Sequence, residues 1–302
     1  MSFGFLATAM GRSIRPRVSN NLDTVRGTAS VQCRPALTHF GHIEVRSSGF
    51  GRPILIVPGL WGGAELLKPL IDSLARNFRV HWFDWPGESL ESHSQTGRNV
   101  LRPEAILAEA IRATGESSLT VFGHSFGAYA AIKALSLPLA SKIERLLITG
   151  AGACDVRRPT DLFLNRLTAG KSRIDSGDPL LPAFAKTVLG DAENDPVKLA
   201  RIVSILARTS PTAITMKSDW LRRTRYACSA PEYDVPVTML AAERDAAVPF
   251  ESQRRLAESL CANFAPLPGT GHMGVMTHAE QFSLAIESTI LAGPKRARIV
   301  TE

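Results

Sequence analysis

Gly123-His124-Ser125-Phe126-Gly127 sets one hydroxyl between two glycines, where the strand-like run "TVF" gives way to the small residues "GAYAA". G-x-S-x-G at a strand-to-helix junction forms a sharp turn, the nucleophile elbow, that lifts its serine above the sheet in a strained conformation. Side chains at 123 and 127 would collide with the neighbouring strand and helix, so both positions call for glycine. The helix that follows aims its N-terminal dipole and free N–H groups at the serine. A serine hydroxyl is a poor nucleophile at neutral pH and needs a base, itself oriented by an acid.

The chain order expected after such an elbow is serine, acid, histidine. Asp245 in "MLAAERDAAVPF" follows an apolar strand-like run, and His272 in "LPGTGHMG" lies in a glycine-rich loop past the last one. Both positions fall at C-terminal strand ends, where open α/β sheets place their ligands. Glu243 and Asp234 compete for the acid's role. Asp234 precedes its strand and so falls at the wrong end, while Glu243 is expected inside the strand, pointing away. His39, His42, His81 and His93 come before the elbow and fail the order test. His124 flanks the serine, so its side chain points elsewhere, and His278 stands at a helix start and reads as a surface residue.

The elements that must hold these residues alternate. Strand-like runs cover 42–48, 53–59, 78–87, 118–125, 143–152, 235–245 and 263–272. Apolar residues at helical spacing cover 64–77, 102–115, 127–140, 250–262 and 278–293, with Pro103 at a first turn and Gly115 at a C-terminal stop. This alternation predicts a mainly parallel sheet covered by helices on both faces. Residues 151–230 break the pattern with helical stretches alone, and are too many for a plain strand-to-helix connection. They read as an inserted helical cap. The expected organisation is a basic arm over 1–35, a core of 36–150 and 231–294, the cap over 151–230 and a basic tail over 295–302.

Backbone N–H groups should supply an oxyanion hole, one from Phe126 after the serine and one from Leu60 in "VPGLWGG". Trp61, His124 and Trp220 are the candidate pocket residues. The stretches "LIVPGLWGG", "HWFDWPGESLES", "VFGHSFGAYAA", "AAERDAAVP" and "GTGHMG" together resemble the successive signatures of the α/β-hydrolase superfamily, over residues 38–150 and 231–293. The resemblance implies the α/β-hydrolase fold, with the cap inserted after the sixth strand, and a serine hydrolase acting on a carboxylic ester, lactone or similar acyl bond. Ser125 would attack the carbonyl, His272 would serve as base and then acid, and Asp245 would hold the imidazole. No metal and no organic cofactor is implied. Many members carry His-Gly at the oxyanion turn; Pro58-Gly59 here resembles thioesterase-like members, so release of an acyl group from a carrier protein or CoA is an alternative. A ligand-binding member without turnover is another. Serine in place of an aspartate nucleophile disfavours dehalogenase and epoxide hydrolase chemistry.

With 44% hydrophobic and 21% charged residues, the 302-residue chain has the composition of a soluble globular protein. The formal net charge is +7 and sits on appendages. Residues 1–35 hold five arginines against Asp23 alone, and residues 151–230 hold thirteen Lys/Arg against eight Asp/Glu. No nucleic-acid-binding motif accompanies this charge. In the cap, Arg222, Arg223 and Arg225 crowd beside Trp220 and Tyr226; they form either a solvated helix face or a rim that attracts anionic substrates. Positive charges follow the short apolar start instead of preceding it, which argues against a secretory signal and leaves an organellar transit peptide open. No run reaches the ~20 apolar residues needed to span a bilayer. Cys33, Cys154, Cys228 and Cys261 are widely spaced and read as reduced thiols of a cytoplasmic protein, with Cys154–Cys228 as the alternative disulfide.

Overall fold

The computed structural model describes residues 31–39, 41–88, 101–153, 159–189, 195–224 and 234–293. Eight strands form one sheet: β1 (Gln32–Thr38), β2 (Gly41–Ser48), β3 (Arg52–Val57), β4 (Phe78–Trp82), β5 (Leu119–His124), β6 (Ile143–Thr149), β7 (Val237–Ala242) and β8 (Asn263–Leu267). Their order is β1-β2-β4-β3-β5-β6-β7-β8. β2 runs antiparallel to β1 and β4, and every pairing from β4 to β8 is parallel.

Parallel strands need crossovers, and helices supply them. These are α1 (Gly63–Leu74), α2 (Pro103–Thr114), α3 (Phe126–Ala134), α8 (Phe250–Ser259), the single turn α9 (Gly274–Thr277) and α10 (Ala279–Leu291). Strand residues alternate between the two faces, as the pleat requires. Ile54 and Ile56 pack in one core with Leu67, Leu70 and Leu74 of α1 and Phe282 and Ile286 of α10. Leu55 and Val57 pack in the other, with Ile106, Leu107 and Ile111 of α2 and Tyr129 of α3.

Between β6 and β7 lie four helices, α4 (Pro159–Thr168), α5 (Leu180–Leu189), α6 (Pro196–Arg208) and α7 (Pro211–Arg223). Asp195 caps α6, accepting hydrogen bonds from the Val197 and Lys198 N–H groups, and Ser210 caps α7 through Ala213 N–H. Leu164, Leu167, Phe184, Ile202 and Ile205 carry the first core up into this layer.

Two expectations need correction. The boundary drawn at residue 35 cuts a strand, since β1 begins at Gln32 and pairs along its whole length with β2. Glu243 stands beyond the end of β7 instead of within it. Cys33 and Cys261 are exposed free thiols. Cys154, Cys228, His93, Arg225, Tyr226, the tail over 295–302 and residues 1–30 of the basic arm lie outside the described residues. Among the described residues, no helix is long and apolar enough to cross a membrane.

Candidate active site

Ser125 joins β5 to α3 with φ 53° and ψ −117°, a left-handed backbone for a non-glycine residue. Such a conformation costs of order 1–3 kcal/mol and persists only where the surroundings over-determine it. Here they do. The Ser125 N–H donates to Thr149 C=O of β6 at 2.9 Å. A Cβ on Gly123 would come within 2.7 Å of the Ala128 Cα, and one on Gly127 within 2.5 Å of the Pro58 carbonyl oxygen. The two glycines therefore let α3 start directly over the sheet, with β3 alongside.

Asp245 is buried in the loop between β7 and α8. Its Oδ1 accepts the N–H groups of Ala247 at 2.8 Å and Val248 at 2.7 Å, and its Oδ2 lies 2.8 Å from His272 Nδ1. Facing a carboxylate, Nδ1 carries the proton and donates it, which leaves Nε2 free to accept one. Gln253 braces this loop: its amide bonds both polar groups of Ala242 and the Val248 carbonyl.

His272 sits between β8 and α9, and two contacts fix its loop. Arg244 N–H donates to Thr270 C=O at 2.8 Å, and Met273 N–H donates to Val188 C=O of α5 at 3.1 Å. Behind the ring lies His124, whose Nε2–H donates to the His272 carbonyl at 3.0 Å, with ring centroids 5.2 Å apart. Burial, and then the positive charge His272 can carry, hold the His124 imidazole down at about 3, so it stays neutral. Glu243, the competing acid, is exposed and accepts the Gly269 N–H at 2.9 Å. Asp234 lies exposed before β7.

Ser125 and His272 line one cavity of about 40 Å³ with Leu60, Trp61, Leu164, Phe184, Val188, Leu221, Ala247 and Val248. Apart from Ser125 and His272, the residues lining it are hydrophobic and uncharged. Phe184 packs edge-on against Trp61 at 5.6 Å. Among the three pocket candidates, Trp61 lies in the wall and the other two do not. His124 is turned beneath His272, and Trp220 packs instead on the Phe126 ring at 5.5 Å. Arg222 and Arg223 are exposed, and Arg222 is bound to Asp219 and to Asn165 Oδ1.

Leu60 and Phe126 flank the serine from two elements. Phe126 opens α3, whose first N–H groups have no partner within the helix. The turn bearing Leu60 is held by Trp85, whose indole N–H donates to Pro58 C=O at 2.9 Å. Sequence reading missed Leu164, Phe184, Val188 and Leu221, because a wall built from several helices carries no spacing of its own. It also missed Lys217, which shares the apolar face of α7 with Ala213 and Ile214; a cation at core spacing was the available signal.

A family model described as the alpha/beta hydrolase family matches residues 54–285. The chain is 28% identical over 126 residues to RutD of Azorhizobium caulinodans, named for carbamate hydrolysis; the match spans 42% of this chain and 45% of that protein. It thus spans less than half the length of that relative. A pimeloyl-[acyl-carrier protein] methyl ester esterase of Xylella fastidiosa (strain M23) is 24% identical over 265 residues, covering 84% of this chain and 100% of the relative. Among solved structures, an esterase from Exiguobacterium antarcticum superposes with a TM-score of 0.74 at 17% identity, over 86% of this chain and 100% of its own. The strand order, the elbow over β5 and a family match across more than half of the sequence agree: this chain belongs to the alpha/beta hydrolase family.

Proposed function

We propose that the protein is a serine hydrolase that cleaves carboxylic esters bearing a short, uncharged acyl group. The observation that carries this reading is the 2.8 Å contact between buried Asp245 and His272, on the wall of the cavity that Ser125 enters. In the proposed cycle His272 Nε2 takes the Ser125 proton as Oγ bonds to the carbonyl carbon. The N–H groups of Leu60 and Phe126 stabilise the resulting oxyanion. Asp245 keeps the ring in the tautomer that can accept, and stabilises the imidazolium without itself taking the proton. His272 then protonates the departing alcohol, leaving an acyl-serine. Water repeats the sequence, with His272 as base, and releases the acid. Within the cap, α4, α5 and α7 contribute Leu164, Phe184, Val188 and Leu221 to the cavity wall.

Cavity size and lining bound the acyl group. A cavity of about 40 Å³ favours a small acyl group over a long one. A charged acyl chain would meet no counter-charge there, which argues against the arginine-rimmed reading. Thioester cleavage is the second reading, supported by Pro58-Gly59; the match to a methyl ester esterase favours the oxygen ester instead.

A fluorophosphonate probe should label Ser125, and Ser125→Ala should abolish the label. Peptide mapping to another serine, or labelling that survives the substitution, removes the assignment. A panel of acetyl to octanoyl esters, lactones and acyl thioesters, run beside Ser125→Ala, then decides between the two substrate classes.

A further inference from the structure

Glu88, in the segment after β4, and Lys217 of α7 form an ion pair inside the protein, 7% and 2% exposed. The Glu88 side chain packs beside Gly63 at the start of α1, where a Cβ on that glycine would lie 3.5 Å from Glu88 Cγ, and the Glu88 carbonyl accepts the Ser210 N–H at 2.9 Å. Lys217 Nζ stands 5.9 Å from the centre of the Phe126 ring. Among the described residues Glu88 Oε1 has no hydrogen-bond partner. Burial pushes the Glu88 carboxyl up and the Lys217 ammonium down from their ordinary values, and each partner opposes the other's shift.

Stability is a poor explanation for such a pair. Desolvating two charges largely cancels their attraction, and apolar replacements of similar volume often leave proteins as stable or more so. An orphaned carboxylate oxygen makes the balance worse. What distinguishes this pair is what it touches. It packs beside Gly63, three residues past Leu60, and through the ring contact it bears on Phe126. Through Ser210 and Lys217 it fixes α7, which contributes Leu221 to the cavity wall.

We propose that Glu88 and Lys217 are positioning residues for the oxyanion site, a buried link from α7 that sets the placement of the Leu60 and Phe126 N–H groups. This rests on the hydrolase reading given above. A donor displaced by a fraction of an ångström weakens the transition state while leaving ground-state binding nearly intact.

The test uses the full chain with p-nitrophenyl acetate, a boronic acid as tetrahedral mimic, and the double variant Glu88→Gln/Lys217→Met, which removes both charges at similar volume. kcat should fall about 10- to 100-fold, given that a misplacement near 1 Å can lose ~10²-fold. KM should stay within about twofold and boronate affinity should fall in step with kcat/KM, at an unchanged melting temperature, since only transition-state binding is lost. A folded double variant with parental kcat and boronate affinity overturns the proposal. Should that variant fail to fold, Lys217→Arg carries the test. It keeps the charge but changes its shape against Phe126, so kcat and boronate affinity should fall together by roughly 3- to 10-fold. Parental values would overturn the proposal there too. Fluorophosphonate labelling of the parent separates the two failures: an unlabelled parent removes the hydrolase reading, and a labelled parent with unaltered variants removes only the pair's role.

Discussion

A carboxylate that accepts two backbone N–H groups on one oxygen has its other oxygen aimed. Asp245 is in that state, bound to Ala247 and Val248 through Oδ1 and to His272 through Oδ2. Asp245→Asn puts an amide there: an N–H facing Nδ1 would turn the imidazole to the tautomer that cannot accept the serine proton. kcat should drop by as much as ~10⁴-fold, the loss measured for the same change in a comparable triad. Glu243→Gln removes the charge but keeps an oxygen that can accept the Gly269 N–H, and should leave kcat within about threefold, as expected for an exposed site away from the cavity. Steady-state kinetics on one ester check both, and the reverse ranking would reassign the acid. Ser125, Asp245 and His272 were legible because each stands just past a strand end, in a local pattern with a steric or chemical reason. Lys217 was not, since its partner lies in another part of the chain and a lone cation at core spacing does not name that partner.

At the scale of elements, the cavity wall divides by origin. Ala247, Val248, Leu60 and Trp61 come from loops at the sheet's C-terminal edge, whereas Leu164, Phe184, Val188 and Leu221 come from α4, α5 and α7. Phe184 closes the chamber against Trp61, so Phe184→Ala should open room for several more carbons. The preferred p-nitrophenyl ester should shift from acetyl or butyryl toward hexanoyl, with kcat/KM for the longer ester rising about 10-fold, in line with ~0.8 kcal/mol per buried methylene. An unchanged chain-length profile would place the acyl group elsewhere. Sequence periodicity found the helices of the sheet layers and helices between β6 and β7, but not β1. Its residues "QCRPALT" include a proline and are exposed at nearly every position, as befits the outermost strand. An edge strand with only Thr38 buried leaves no alternation to read.

For the molecule as a whole, the neutral His124 ties the fold to pH. Its imidazole is held at about 3 in the folded chain, against an unfolded value near 6.5. The unfolded state therefore binds the extra proton first, and stability present above pH ~6.5 drains away as pH falls toward ~3, at up to ~1.4 kcal/mol per unit. Unfolding free energies from urea titrations at pH 7 and pH 5 should differ by about 2 kcal/mol in this contribution, and His124→Gln, whose amide can keep the donor to the His272 carbonyl, should remove that part of the slope. An identical slope in the variant would move the titration to other groups. The two-sided core followed from alternation alone, but the packing of His124 between Gly59 and Gly150 is a product of three loops meeting and had no counterpart in the sequence. The left-handed turn at Ser125 has an evolutionary consequence. Glycine would occupy that turn without penalty, so heat tolerance and turnover pull this one codon in opposite directions. Variants selected for survival on heating alone will drift toward an inert protein of the same shape, and only selection that demands product at every round will hold the serine in place.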